Sequence, residues 1–100
     1  MSCIVNLTIS INPELRAEFL HDLSVILSAT KAYSGCEWLY LCENADNDKI
    51  EALSKWESRE AYETYLGWRQ DSGFLGGLAE KYFTDEPVWR YMPMIMDFNK

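Results

Sequence analysis

The chain has 100 residues, with 16 acidic against 9 basic side chains and a formal net charge of −7. That balance, with no cluster of Lys or Arg, argues against nucleic acid and against an anionic membrane surface as partners, since both rest on cations neutralising phosphates. No apolar stretch approaches the roughly 20 residues of a membrane span, no basic-then-apolar leader opens the chain, and three cysteines without a C-x-x-C pair argue against a disulfide framework or a zinc knuckle.

Cys3, Cys36 and Cys42 read instead as reduced thiols in a cytoplasmic protein, used as small apolar side chains. A chain of this length is one domain, spanning 1–100. So short a chain leaves much of its surface exposed, yet 48% of it is hydrophobic and 14% aromatic. A second buried surface, shared with another copy, would use that supply.

Residues 3–11 alternate: Cys3, Val5, Leu7, Ile9 and Ile11 point one way, and Ile4, Asn6, Thr8 and Ser10 the other. Period two predicts a first strand. Asn12, Pro13 and Glu14 then supply an N-cap, a first-position proline and a first-turn acid for a helix. Leu15, Phe19, Leu20, Leu23, Ile26, Leu27 and Thr30 trace its apolar stripe. Ser34-Gly35 breaks the pattern, and a second strand follows from Cys36 to Glu43. Cys36, Trp38, Tyr40 and Cys42 share one face of it, Leu39 and Leu41 the other. The polar run from Asn44 to Asp48 predicts a hairpin loop. A third strand runs from Ile50 to Trp56, with Ile50, Ala52, Ser54 and Trp56 on one face. Ser58 caps the next helical region, and Glu60 and Glu63 suit its amino-terminal end. Gly67 and Gly73 predict two helical pieces, roughly 59–66 and 69–82. The last strand covers 88–98, and Pro93 within it predicts an edge position or a bulge.

The order β-α-β-β-α-β is the ferredoxin-like arrangement, an α+β fold with both helices on one face of an antiparallel sheet. Trp38, Tyr40, Trp56 and the row Met92, Met94, Met96 make both sheet faces apolar. A bare apolar face is an interaction surface, and sheet-to-sheet packing in a homodimer closes it.

Five segments, in order and spacing, carry a resemblance over nearly the whole chain: Ile9-Ser10-Ile11-Asn12-Pro13, Ser34-Gly35-Cys36, Lys55-Trp56-Glu57-Ser58, Tyr65-Leu66-Gly67-Trp68-Arg69 followed by Gly73, and Pro87-Val88-Trp89-Arg90-Tyr91. Together they resemble the antibiotic biosynthesis monooxygenase family of small dimeric α+β barrels. The resemblance implies oxygenation of electron-rich phenols, anthrones or quinols by molecular oxygen, with no metal or flavin. One branch of the family degrades heme, and other members have no known activity, so membership alone does not establish catalysis.

Cofactor-free oxygenation calls for an apolar pocket with a hydrogen-bond donor or cation beside the developing oxyanion. Asn6 is the first candidate donor, because family enzymes use an Asn on this strand. Its parity is opposite to Leu7, Ile9 and Ile11, so it faces the dimer interface if that set faces the helices. Arg69 is the candidate cation; the structural alternative is a surface ion pair with Asp71. Trp56, Tyr65 and Trp38 are candidate ring-binding residues, Trp56 by its match to a family Trp and Tyr65 where many relatives carry a His. The alternative for Trp56 is a core or interface side chain. His21 lies opposite the apolar stripe of its helix and is expected to be exposed. The heme-degrading relatives carry a His in the second helical region, and residues 59–83 have none here. Asp46 and Asp48 read as a solvated turn rather than a metal site.

The expectation is therefore a homodimeric monooxygenase of a small aromatic or quinol-like compound, needing no cofactor or metal. Asn6 and Arg69 would assist substrate ionisation. The alternatives are a non-catalytic dimeric module that binds a small apolar ligand, and a heme-binding or heme-degrading protein.

Overall fold

The computed structural model describes residues 2–99. Four strands form one antiparallel sheet: β1 (Cys3–Ile9), β2 (Cys36–Glu43), β3 (Ile50–Trp56) and β4 (Val88–Pro93), in the order β2-β3-β1-β4. Three helices, α1 (Arg16–Ala32), α2 (Arg59–Asp71) and α3 (Phe74–Tyr82), complete the ferredoxin-like α+β fold.

The helix starts follow the local chemistry. The Asn12 side chain accepts from the Glu14 N–H and caps a short 3-10 turn, Pro13–Leu15, that leads into α1. Ser58 Oγ accepts from the Ala61 N–H at the start of α2. The second helical region divides later than the glycine pattern predicts. Residue 67 is helical, since a glycine costs a helix only about 1 kcal/mol, and α2 runs on to Asp71. The break falls at Gly73, whose φ of 74° lies in the left-handed region that glycine tolerates best.

The first and last strands also differ from the alternation pattern. The first strand leaves the sheet after Ile9, because Asn12 N–H donates to the Tyr82 carbonyl and Thr84 N–H to that of Ser10. The last strand stops at Pro93 instead of running to 98. It is an edge strand, as the proline requires. Only Met92 of the expected methionine row therefore lies in a strand.

Register places Asn6 opposite both Leu53 and Arg90, and Leu7 opposite Ala52 and Trp89. Directly opposed residues share a face. Cys3, Val5, Ile9, Ile50 and Trp56 pack under the helices in two clusters. One is built on Trp56, Tyr62 and Tyr65, the other on Phe19, Leu23 and Tyr82. The opposite face carries Asn6, Thr8, Trp38, Tyr40, Glu51, Arg90 and Met92, with no helix over it.

Gly35 anchors the turn into β2. Its φ is 94°, its carbonyl accepts from the Glu57 N–H, and a Cβ there would lie 2.8 Å from Ala61 Cβ. Strain and clash act together at this position. Gly35→Ala is expected to destabilise the fold by about 2–3 kcal/mol in urea unfolding, whereas Gly67→Ala, where a Cβ meets nothing within 4 Å, is expected to stabilise it slightly.

Candidate functional site

Arg69 lies near the end of α2 and is 7% exposed. Its Nε–H donates to the Tyr65 hydroxyl at 3.0 Å, and Nη2 donates to the Ile26 carbonyl at 3.0 Å and to Thr30 Oγ1 at 3.2 Å. Thr30 Oγ1 and Tyr65 Oη are 2.6 Å apart. Tyr65 already accepts from Arg69, and Thr30 reaches the Ile26 carbonyl at 3.5 Å. The proton order Tyr65 to Thr30 to Ile26 is the one that satisfies every group. The guanidinium lies over the Trp68 ring at 4.5 Å and the Phe74 ring at 5.0 Å.

This is a buried cation held by neutral groups. Among the described residues no carboxylate pairs with it, and Nη1 has no hydrogen-bond partner. The surface pair with Asp71 that spacing allows does not form. A guanidinium offers five N–H donors, so both Nη1 protons remain for another acceptor. Taking a charge out of water without a counter-ion is unfavourable. Among the described residues the only buried side-chain nitrogen or oxygen left without a partner is Asn6 Oδ1, so Nη1 lies where solvent reaches it and another acceptor can take its place.

Beside it lies a cavity of about 70 Å³ between the helices and the sheet. Leu7, Ile26, Leu41, Leu75 and Leu78 line it together with Tyr65 and Arg69. The lining is apolar except at the Tyr65–Arg69 end.

Of the residues singled out from sequence, only Tyr65 and Arg69 meet in this cavity. Trp56 is 0% exposed; its Nε1–H donates to Ser54 Oγ at 2.8 Å, and its ring packs against Tyr62 and Tyr65 at centroid distances of 5.3 and 5.1 Å. It therefore presents neither a free ring face nor a free N–H, and its expected contact with a substrate ring is corrected to that of a core side chain. The Tyr65 ring lines the cavity, and its hydroxyl is engaged by Arg69 and Thr30. Neighbouring Tyr62 accepts from Trp89 Nε1 at 2.8 Å, and burial pushes its phenol well above the usual tyrosine range.

Asn6 and Trp38 lie on the far side of the sheet. Trp38 packs against Tyr40 at 5.4 Å. Asn6 Nδ2 donates to Glu51 at 3.0 Å, and its Oδ1 is buried without a partner. Asn6 does not join Arg69 because strand parity turns it away from the helices; that part of the sequence expectation is corrected. His21 is exposed. Cys3, Cys36 and Cys42 are free, and burial raises the Cys36 thiol. Thr30 and Leu75 were not singled out from sequence. Thr30 marked the apolar stripe of α1, and its polar role depends on how α1 packs on α2.

A family profile described as antibiotic biosynthesis monooxygenase matches residues 2–74. The chain belongs to the antibiotic biosynthesis monooxygenase family. Among solved structures it is similar to Rv0793 from Mycobacterium tuberculosis, at 18% identity and a TM-score of 0.80, with 99% of this chain and 100% of that one covered. A candidate antibiotic biosynthesis monooxygenase from Deinococcus radiodurans matches at 16% identity and a TM-score of 0.78, covering 100% of this chain and 98% of that one. A point mutant of MhuD, with two manganese protoporphyrin IX bound per active site, matches at 14% identity and a TM-score of 0.79, covering 98% and 99%. These likenesses establish a shared fold. No curated protein matches the sequence. No helix among the described residues is long and apolar enough to cross a membrane.

The open sheet face has its own electrostatics. Glu51 accepts from Asn6, Thr8 and Asn44. These bonds, with Asn6 first, hold its carboxyl below the usual carboxylate range. A depressed folded-state pKa contributes stability that is present above the unfolded value and lost as pH falls through the folded one. Urea unfolding at pH 7 and pH 3 is expected to show a smaller acid-side loss in Asn6→Ala than in the wild type. An equal loss would place the acid sensitivity elsewhere.

Proposed function

We propose that this family member is a monooxygenase that binds a small phenol or quinol as its anion at Arg69 and lets it react directly with molecular oxygen. The guanidinium carries this reading: neutral groups hold it beside an apolar cavity, no carboxylate pairs with it, and Nη1 is open to an acceptor. A cation in such surroundings lowers the free energy of the phenolate more than that of the neutral phenol. Ionisation makes the ring electron-rich enough to reduce oxygen itself. Atoms balance without a further reductant: a ring C–H and the phenolic O–H become two carbonyls, one oxygen atom enters the product, and the other leaves as water. Tyr65 and Thr30 position Arg69, and the leucine-lined walls keep water from the reacting anion.

The same reading places a second copy of the chain on the open sheet face. Tyr40 is 62%, Val88 46% and Met92 42% exposed there. The Asn6 Oδ1 without a partner would take a donor from across that interface. A purely ligand-binding dimer is the second reading, because the cavity needs no catalysis to hold an anion. The heme reading lacks an axial His in residues 59–83.

Oxygen consumption by purified protein, measured with anthrones and naphthoquinols above the spontaneous rate, tests the proposal. Arg69→Met is expected to lower the saturated rate by about a hundredfold and to move the pH of half-maximal rate upward by about one unit, since the bound phenol then ionises without its cation. Saturable binding of the same compounds with no consumption above background would establish the ligand-binding reading instead.

A further inference from the structure

The cavity beside Arg69 is too small for the ligand its chemistry asks for: roughly 150 Å³ of apolar void accommodates one benzene, and this cavity has about 70 Å³. A second space, a groove of about 350 Å³ on the other side of α3, is lined by Gln70, Leu75, Gly76, Ala79, Pro87 and Trp89. Leu7, Leu75 and Phe83 line both spaces and form the partition between them. Leu7 is fixed in the central part of the sheet. Phe83 belongs to the anchored end of α3, where the Tyr82 hydroxyl donates to Asp22, Lys81 pairs with Glu18 at 3.1 Å, and the Phe83 ring lies 6.2 Å from that of Phe19. Leu75 belongs to the other end.

That other end is less firmly tied. It follows left-handed Gly73, which provides no side-chain cap. Gly76 and Gly77 come next, and a Cβ at either would meet nothing within 4 Å. Packing therefore does not require these glycines, although each weakens a helix by about 1 kcal/mol relative to alanine. The first turn is held by the Phe74 ring on Arg69 and by the Gly77 N–H bond to the Gly73 carbonyl, but by no ion pair or side-chain cap, so with its glycine pair it opens at lower cost than the Phe83 end.

We propose that Leu75 is the gate of the ligand site and that the first turn of α3 swings to join the outer groove to the Arg69 cavity. The joined chamber falls within the range of roughly 300–1,000 Å³ found for small-molecule sites. Its ligand is a planar anion of about two fused rings, with the charged oxygen on Arg69 Nη1 and the rings lying where Leu75 now stands. This inference rests on the reading of Arg69 as the ligand's charge partner.

The probe is 2-hydroxy-1,4-naphthoquinone, an enolate at neutral pH, followed by stopped-flow quenching of tryptophan fluorescence; Trp89 in the groove wall and Trp68 beside the guanidinium are the reporters. Leu75→Ala is expected to speed association about tenfold, and Leu75→Trp to weaken binding about tenfold. Replacing Gly77 by Ala, which stiffens the helix at a residue lining neither space, is expected to slow association and dissociation in parallel. Wild-type rates in all three variants, with binding still lost in Arg69→Met, would overturn the gate and leave the Arg69 reading standing. Equal binding by wild type and Arg69→Met would overturn the Arg69 reading and the gate with it.

Discussion

A single antiparallel sheet with helices on one side only divides the chemistry of this protein in two. Alternation along each strand sends neighbouring side chains to opposite faces, so Leu7 lines the helix-side cavity while Asn6 and Thr8 join Glu51 on the bare side. Register makes the division strict, because shifting one strand by a single residue would exchange the two sets. Everything that can meet a ligand under the helices must therefore come from one parity of β1, β3 and β4 or from the helices; in β2 a bulge between Cys36 and Trp38 turns Cys36 under the helices, away from the face it was expected to share with Trp38.

The helix-side interior is itself divided. Toward Trp56, aromatic rings fill the space: Tyr62 and Tyr65 cover the indole, and Tyr33 packs on Tyr65 at 5.3 Å. Toward Phe74 and Leu75 the filling is aliphatic and incomplete, and the Arg69 cavity opens there. The cation sits at the boundary. Its hydrogen bonds to Ile26 and Thr30 tie α1 to α2 and hold the charge facing the emptier side. The proposed gate needs this contrast, with hydrogen bonds fixing the cation from α1 and an uncapped, glycine-containing first turn of α3 on the other side.

Much of the fold was legible in local patterns. The Ser58 cap and the Gly35 turn have short-range physical causes and stand where their patterns placed them; the alternation read from Cys3 to Ile11 holds as a strand to Ile9, and Asn12-Pro13 starts a 3-10 turn that leads into α1. The parity of Asn6 was legible too, and the structure resolves it in favour of the bare face. Other features depend on packing between distant segments. Whether α2 breaks at Gly67 or Gly73 is decided by which glycine the chain needs in a left-handed conformation. The engagement of the Tyr65 hydroxyl depends on Thr30, 35 residues away. The burial of Trp56 depends on rings from α2. Leu75 carries no chemical signal, since its importance comes from the two spaces it separates.

The claim on which the account turns is that a ligand anion meets Arg69 under the helices, and not the aromatic residues of the bare sheet face. The most direct measurement is an NMR titration of isotopically labelled protein with 2-hydroxy-1,4-naphthoquinone, following the Arg69 Nε–H resonance together with the backbone and methyl signals. Saturable shifts centred on the Arg69 Nε–H and on Leu7, Tyr65 and Leu75 are expected. Shifts confined to Trp38, Tyr40 and Met92, with the Arg69 resonance unmoved, would contradict the claim.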